Sequence, residues 1–381
     1  MEKIADIVFW FSLSVILYAY LGHFALAYLV GFFRPKPISK ADIEPSVSFI
    51  IAAYNEEVVI REKIQNTLQL DYPKEKLEIV VVTDGSSDRT PDVVKEYETK
   101  GVRLLHSSER RGKTMALNRV VPLTKGDILF FSDANTHYEP STLRVMMRNF
   151  NDPSVGGVSG RKTIRKEGAR QATKGEEGFW SYEALLKTLQ TRSGSISTAD
   201  GEIFSLRRSK FESIPVGIVH DDMYLTLLIV RAGMRVVYES DATSEESASK
   251  SFKDEFFLKT RYASAGYQII GAFRGFLIPP GCYFAWQFLS HKLLRWTAPI
   301  FLISLYVSSF FSKNLILKTM FLLQSIFYSS AALGFSLTLC TLPAGPLYFP
   351  AYFCMGNAAG LYGLVKVFRG GQTSLWRKAA R

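Results

Sequence analysis

The sequence predicts an α/β domain, residues 41–250, between apolar helices at both ends of the chain. Within this domain, short β-branched runs alternate with amphipathic stretches, which is typical of a mostly parallel sheet with helices between its strands. Long apolar runs precede and follow the domain. The net charge of +11 belongs to the apolar last third, because no Asp or Glu follows Glu255 in this chain of 381 residues. Together these observations predict a membrane-attached protein.

Composition excludes several classes of protein. Cys282, Cys340 and Cys354 are widely spaced, so they form neither a disulfide framework nor a CxxC metal motif. All 35 acidic residues lie before residue 256 together with most of the Lys and Arg, so the α/β domain is nearly neutral. It also lacks a basic stripe, and no nucleic acid is therefore expected as a partner.

Residues 1–40 are predicted to form a transmembrane helix with a basic flank. The apolar run 4–33 exceeds the roughly 20 residues that cross a bilayer core. Arg34, Lys36 and Lys40 follow it, which places the α/β domain in the cytoplasm by the positive-inside rule. A secretory signal peptide is the alternative, but its apolar core would be shorter and its basic residues would come first.

The α/β domain contains four predicted buried strands, and polar side chains follow three of them. The strands cover residues 47–51, 77–82, 102–106 and 127–131. Asn55 and Glu56 follow the first strand, and Asp84 follows the second. Asp133 and Asn135 follow the fourth. Open α/β sheets bind ligands beyond the carboxyl ends of their strands, so these residues are expected to meet in one crevice, although each alone could be ordinary turn chemistry.

The polar residues suit a nucleotide that is held without a glycine-rich loop. Neither a GxxxxGK[ST] nor a GxGxxG motif is present. Asp84 could accept a hydrogen bond from a base or ribose, and Arg111 and Lys113 could neutralise phosphates. Asp133 could help to hold a divalent metal.

The last two segments of the chain are predicted to contact the lipid bilayer. Residues 251–295 mix aromatic and basic side chains, which predicts amphipathic helices in the membrane interface. Residues 296–381 are predicted to form about three transmembrane helices and a basic tail, from apolar runs at 296–311, 315–342 and 347–368. The expected location is therefore the cell (inner or plasma) membrane, with several passes. The number of C-terminal passes and the side of the C-terminus stay open, because four passes would leave the basic tail outside.

The ordered motifs resemble those of membrane-bound family 2 glycosyltransferases, relatives of cellulose, hyaluronan and poly-N-acetylglucosamine synthases. The segments AYNE (53–56) and TDGSSDRT (83–90) resemble the nucleotide-binding loops of the family, and RGKTMALN (111–118) resembles the segment that closes on the nucleotide. DAN (133–135) stands at the D-x-D metal motif. DDMYL (221–225) matches the E-D-x-x-L signature, whose aspartate is the catalytic base.

A further motif, KLLRW (292–296), occupies the place of the interfacial Q-x-x-R-W motif. Two departures from the family pattern matter. Asn135 replaces the second aspartate of D-x-D, which leaves one negative charge fewer for a metal. Lys292 replaces the glutamine of Q-x-x-R-W, and since the full motif accompanies processive synthesis, this puts processivity in doubt.

The resemblance implies a cytosolic Rossmann-like domain of glycosyltransferase A type with N- and C-terminal transmembrane helices. It implies an inverting enzyme that moves a sugar from a nucleotide sugar, with UDP as the expected nucleotide, to a growing polysaccharide or glycan acceptor through a β-glycosidic bond. Mg²⁺ or Mn²⁺ is the implied cofactor. Single-sugar transfer to a lipid acceptor is the alternative, and a non-catalytic membrane scaffold or channel is a third. The oligomeric state stays open.

The resemblance also implies roles for single residues. Asp222 is the expected catalytic base, with Asp221 beside it, and like-charge repulsion and desolvation are expected to raise its affinity for protons. Gly201 and Trp296 are expected on the acceptor side. Asp133 and Asn135 are the expected metal ligands. The expected donor-binding residues are Ala53, Tyr54, Asn55, Glu56, Asp84, Arg111, Lys113, Asp133 and Arg295.

Overall fold

The computed structural model describes residues 2–165, 171–247, 251–278, 282–340 and 342–370. Its centre is a sheet of eight described strands in the order β3-β2-β1-β4-β7-β6-β8-β5. The strands are β1 (Val47–Ala53), β2 (Leu77–Asp84), β3 (Val102–Ser107), β4 (Ile128–Asp133), β5 (His137–Tyr138), β6 (Val155–Arg165), β7 (Phe204–Arg207) and β8 (Arg235–Ser247). Four of the seven neighbouring pairs are parallel, which confirms the predicted mostly parallel α/β sheet.

Helices connect the strands and extend the chain at both ends. The helices before the fourth strand are α1 (Glu2–Leu17), α2 (His23–Phe33), α3 (Ile60–Leu68), α4 (Thr90–Lys95) and α5 (Lys113–Val120). Those that follow up to the last strand are α6 (Thr142–Met147), α7 (Gln171–Ser193) and α8 (Asp221–Arg231). The C-terminal ones are α9 (Phe252–Ala272), α10 (Arg274–Leu277), α11 (Tyr283–Phe288), α12 (Leu294–Phe311), α13 (Leu315–Leu339) and α14 (Tyr348–Phe368).

Apolar layers cover both faces of the sheet. Ile50 of β1 packs on one face together with Val80 of β2, whereas Phe49 and Ile51 pack on the other face. All four side chains are fully buried. Successive side chains of a strand point to opposite faces, so a strand covered on both sides reads as a continuous apolar run, as β1 does.

The strand register brings the predicted polar residues to one edge. β1 lies between β2 and β4, and it is parallel to both. Ala53 at the end of β1 is level with Thr83, and Ala52 is level with Asp133. The loops that follow the three strands therefore leave the sheet side by side.

Three helical segments of the described chain are long and apolar enough to cross a membrane. They are Glu2–Phe33, Tyr283–Phe311 and Leu315–Leu339. Their apolar side chains face outwards: only 11% of the most apolar window of Leu315–Leu339 is buried. Outward-facing apolar helices of this length are compatible with contact to lipid.

The C-terminal helices differ in detail from the sequence prediction. The second candidate span begins at Tyr283, not at residue 296, because a π-helical turn at Leu289–Leu293 joins α11 and α12 into one helix. The run predicted at 347–368 does form α14, which packs against α9 and α13, but this helix is not among the three candidates. The basic tail from residue 371 lies outside the described residues. Membrane crossing stays a prediction for all of these segments.

Candidate active site

A cavity of about 290 Å³ opens at the carboxyl ends of β1, β2 and β4. Asp84, Asp133 and Asp222 all line it, so the structure brings together the three carboxylates that the motifs singled out. The other charged or titratable lining side chains are Tyr54, Glu56, Arg110, Lys113, Lys162, Glu202, His220, Asp221, Glu246, Arg261 and Tyr262. Predicted residues thus line the cavity together with residues that the motifs did not single out, whereas Asn55 and Arg111 are not part of its lining.

The loop after β1 forms one wall and is tied to the loop after β2. Asn55 adopts a left-handed backbone with φ of 53°, and its Oδ1 accepts the backbone N–H of Ser87 at 2.8 Å. Ala53 and Tyr54 line the cavity, and the guanidinium of Arg110 lies 3.8 Å from the centre of the Tyr54 ring. Asn55 is therefore a link between two loops in this structure, while Tyr54 presents an aromatic face beside a cation.

Asp84 organises the loop before α5. Its buried carboxylate accepts the backbone N–H of Gly112 at 2.6 Å and that of Arg111 at 3.1 Å. The side chain of Arg111 is exposed and pairs with Glu109 at 2.6 Å, so it lies outside the cavity lining. Arg110, the preceding residue, faces the cavity instead.

Lys113 is a largely buried cation that lines the cavity. Its Nζ lies 2.7 Å from Asp133 Oδ1 and 3.7 Å from Asp221 Oδ2, and only 13% of the side chain is exposed. Burial disfavours the ammonium, but the two carboxylates outweigh burial and hold the pKa of Lys113 above its usual value. A positively charged group therefore lies between Asp133, the predicted metal ligand, and Asp221, which adjoins the predicted catalytic base.

The two aspartates of the DDMYL motif begin α8. Their place in the first turn favours negative charge, because the helix dipole is positive there. Asp222 Oδ1 accepts the backbone N–H of Met223 at 2.7 Å and is bonded to His220 Nδ1. This arrangement holds the carboxylate of Asp222 at the cavity wall.

The environment of Asp222 differs from the sequence prediction, which expected a raised affinity for protons. Burial does oppose its ionisation, but His220 and Lys113 outweigh burial and lower the pKa of the Asp222 carboxyl. The raised pKa belongs to Asp221, because of its burial, and Asp222 adds to this effect. The prediction was wrong because His220, which lies next to Asp222, was not considered.

The pairing with His220 leads to a prediction about pH dependence. Asp222 must be ionised to accept a proton, and His220 favours the ionised form. We expect His220→Gln to raise the pKa of Asp222 and to move the acid limb of kcat/KM to higher pH. Because the wild-type pKa is already lowered to about 2, the profile would be measured from the lowest pH at which the protein stays folded up to about pH 8. His106→Gln, which removes a histidine outside the cavity, should leave the profile unchanged. An unchanged acid limb in His220→Gln would contradict this role.

Gly201 packs directly against the carboxylate of Asp222. A Cβ atom at this position would lie 3.0 Å from Asp222 Oδ2. The preceding residue, Asp200, forms a buried ion pair of 2.6 Å with Lys187 of α7, which anchors the loop. The absence of a side chain at Gly201 therefore allows the loop and the carboxylate to approach each other.

We expect Gly201→Ala to lower kcat by about tenfold, because the new methyl group displaces Asp222 by a few tenths of an ångström and catalysis depends on sub-ångström placement. Initial rates at saturating donor would measure this. The matched control is Gly194→Ala, since a Cβ there meets no atom within 4 Å. Equal rates for the two variants would rule out the proposed contact.

The chemistry of the predicted metal ligands fits a divalent cation. Asp133 offers a carboxylate, and Asn135 offers a carboxamide whose Nδ2 donates to Glu246 Oε1 at 2.8 Å. Mg²⁺ and Mn²⁺ prefer oxygen ligands, and Mg²⁺ is commonly held by one or two carboxylates together with substrate phosphates. The described residues contain no cluster of three or more His, Cys, Asp or Glu that could hold a metal without such help.

Arg295 and Trp296 do not line the cavity in the described part of the chain. Arg295 Nη1 lies 2.5 Å from Glu183 Oε1, and Lys292 Nζ lies 3.2 Å from Glu183 Oε2. Trp296 packs against α9 so closely that a Cβ at Gly266 would lie 2.0 Å from its ring. These two residues therefore connect α12 to α7 and α9 in this structure, and contact with donor or acceptor would require them to move.

The sequence motifs did not identify several residues that line the cavity. Arg110 and His220 adjoin residues of the recognised motifs, so inspection of the neighbouring positions would have found them. Lys162 and Glu246 come from β6 and β8, which pair in parallel, and they are 84 residues apart. No local pattern marks such a pair.

Comparison with known proteins agrees with the motifs. Residues 48–214 match the model of glycosyl transferase family 2. The chain is 29% identical to the probable glycosyltransferase YdaM of Bacillus subtilis (strain 168), over 69% of this chain and 67% of that protein. It is 30% identical to the beta-monoglucosyldiacylglycerol synthase of Trichormus variabilis, over 69% and 58% of the two chains. It is 28% identical to the poly-beta-1,6-N-acetyl-D-glucosamine synthase of Staphylococcus aureus (strain COL), over 62% and 58%.

A solved structure shares the fold. The mannosyltransferase PcManGT from Pyrobaculum calidifontis, in complex with GDP-Man and Mn²⁺, superposes with a TM-score of 0.74 over 96% of this chain and 100% of that one, at 22% identity. The present chain spans only 58% of the length of the two curated synthases. Family model, relatives and fold agree with the motifs at β1, β2 and β4, and the chain contains a glycosyltransferase family 2 domain.

Proposed function

We propose that this chain is an inverting membrane glycosyltransferase that moves a sugar from a UDP-sugar to a glycan or lipid acceptor, with Asp222 as the catalytic base. The observation that carries the proposal is the shared cavity. Asp222 lies on its wall together with Lys113 and Asp133, in a fold shared with a nucleotide-sugar enzyme. The base and the cationic site are therefore close enough to act on one donor sugar.

The base would work by single displacement. Asp222, kept ionised by His220, would accept the proton of the acceptor hydroxyl as that oxygen attacks the anomeric carbon. Attack from the face opposite the leaving group inverts the anomeric centre, so an α-linked donor would give a β-linked product. Gly201 lies against Asp222 and has no side chain, so it would leave room for the acceptor to approach the carboxylate.

The leaving group would depart as a diphosphate whose charge must be neutralised. Lys113 is positioned for this, because its ammonium is buried and faces the cavity. Arg110 beside the Tyr54 ring would flank a bound base or phosphate. Asp133 and Asn135 would hold a divalent cation, which when bound would supply further positive charge to the diphosphate.

The relatives support both kinds of acceptor. The synthase from Staphylococcus aureus is named for a polysaccharide, and that from Trichormus variabilis is named for a glycolipid. A growing polysaccharide is the leading acceptor in our proposal. Transfer of one sugar to a lipid is the second candidate, and the ion pair of Lys292 with Glu183 favours it, because this lysine stands where the processive members have glutamine.

The activity can be tested with detergent-solubilised full-length protein. A panel of UDP-, GDP- and other nucleotide sugars, each with Mg²⁺, Mn²⁺ or EDTA, would be screened for release of the nucleotide diphosphate. We expect release with one UDP-sugar and a divalent metal. Release with none of the donors, in the presence of membrane lipids and short glycans, would contradict the enzyme proposal.

The chemical nature of the labelled product identifies the acceptor. With a radiolabelled donor, a polymer appears as label retained by size-exclusion chromatography, whereas a glycolipid appears as label extracted into organic solvent. Label in the extract with a single sugar per lipid would replace the polysaccharide acceptor by the lipid acceptor. Reconstitution in vesicles would then show whether the catalytic domain and the donor lie on the same side of the bilayer.

A further inference from the structure

Glu246 is the partner of the residue that replaces the second aspartate of the metal motif. Asn135 Nδ2 donates to Glu246 Oε1 at 2.8 Å. Glu246 lies near the end of β8, and its pairing register with β6 places it at the cavity, where it is only 3% exposed. A hydrogen bond in such a dehydrated place has more influence on side-chain orientation than one in water.

Lys162 holds the other side of Glu246. Its Nζ is bonded to Glu246 Oε2 and lies 3.3 Å from Glu202 Oε1, and its side chain is 5% exposed. A carboxylate paired with an ammonium has no hydrogen to donate, so it can only accept. Asn135 must therefore turn its NH₂ group towards Glu246, and its amide oxygen must face away from Glu246.

We propose that Glu246 is a positioning residue that orients the carboxamide of Asn135, so that its oxygen joins Asp133 in holding the divalent cation. The inference rests on the proposed function, because it concerns the cation that would neutralise the donor diphosphate. The proposal explains how the uncharged Asn135 can act as a metal ligand in place of the second aspartate of the motif. An aspartate at residue 135 would meet the Glu246 carboxylate at hydrogen-bond distance, and the two like charges would repel each other. The Asn135 carboxamide and the Glu246 carboxylate are therefore complementary as hydrogen-bond donor and acceptor.

The test measures metal binding directly. Mn²⁺ is titrated into detergent-solubilised full-length protein in the presence of UDP, with UDP alone as the blank, and free Mn²⁺ is followed by electron paramagnetic resonance. We expect Glu246→Gln to weaken Mn²⁺ binding by about tenfold, a size typical of residues that orient metal ligands, because glutamine can present either end of its amide to Asn135. Asn135→Asp should bind Mn²⁺ no more tightly than the wild type, in spite of its extra charge.

The double variant carries the decisive comparison. In Asn135→Asp combined with Glu246→Gln, the glutamine can donate to the new carboxylate, so Mn²⁺ affinity should return to the wild-type value or exceed it. If the two substitutions acted independently, so that their separate effects on Mn²⁺ affinity multiplied in the double variant, the proposal would be overturned. Unchanged affinity in Glu246→Gln would overturn it as well.

Two controls separate orientation from folding and from the wider site. Glu202→Gln removes the other carboxylate next to Lys162 but leaves the contact with Asn135, and it should keep Mn²⁺ affinity within about twofold of the wild type. Should Glu246→Gln fail to fold, judged by circular dichroism, Asn135→Asp alone decides, since a gain in affinity there contradicts the inference. A wild-type protein that binds no Mn²⁺ overturns the metal part of the proposed function as well, whereas wild-type binding with unchanged variants overturns only this inference.

Discussion

Asp222→Asn should lower the turnover number by at least about a hundredfold, because the amide cannot accept the proton of the acceptor hydroxyl. The substitution keeps the size of the side chain and its place in the first turn of α8. Donor binding should change little, since Asp222 packs against Gly201, which we propose lies on the acceptor side. The measurements are the rate of diphosphate release at saturating donor and the dissociation constant of the nucleotide.

The matched control for this variant is Asp92→Asn. Asp92 also lies in the first turn of a helix, α4, but its side chain is 67% exposed and lies outside the cavity lining. It should retain wild-type turnover. Substantial turnover in Asp222→Asn, with a folded protein and normal donor binding, would remove Asp222 from the role of base.

Lys113→Met should reduce kcat/KM for the donor by about two to three orders of magnitude, because it removes the buried positive charge that we propose neutralises the departing diphosphate. The variant also leaves Asp133 and Asp221 without the ammonium between them. We therefore expect weaker nucleotide binding and a lower melting temperature. Steady-state kinetics over a range of donor concentrations and a thermal unfolding scan measure the two effects.

Lys95→Met is the corresponding control. Lys95 also forms an ion pair, with Asp92 at 3.6 Å, but this pair is on the surface, where such interactions contribute little to stability. Neither kinetics nor melting temperature should change. If Lys113→Met bound donor and turned over like this control, the diphosphate would have to be neutralised elsewhere in the cavity. Lys162 and Arg261, two other cations that line the cavity, would then be the next to test.

Much of the site follows from local sequence patterns. The residues after β1, β2 and β4 could be assigned to one edge, because the carboxyl ends of neighbouring parallel strands meet there. Asp222 was identifiable from its motif. His220 and Arg110 were within reach of the same reasoning, since each adjoins a motif residue. The proton affinity of Asp222 was predicted with the wrong sign, because His220 and Lys113 outweigh the effect of burial.

Other parts of the site depend on contacts between distant segments. Arg295 is paired with Glu183 of α7, 112 residues earlier, and so lies away from the cavity. Asn135 meets Glu246 only because β6 and β8 pair in the observed register. The span that begins at Tyr283 depends on a π-helical turn that joins two helices.

The amino-acid sequence by itself determined the α/β class, the family and the edge of the sheet where the polar loops gather, because strand periodicity and strand-end residues are local properties. The tertiary structure alone decided which distant side chains meet, namely Glu246 with Asn135 and Lys162, and Glu183 with Arg295. Those neighbours come from strands and helices more than 80 residues away, and their distances depend on register and helix packing, which no short motif encodes. The contact of Asn135 with Glu246 and the place of Arg295 outside the cavity lining follow from this packing.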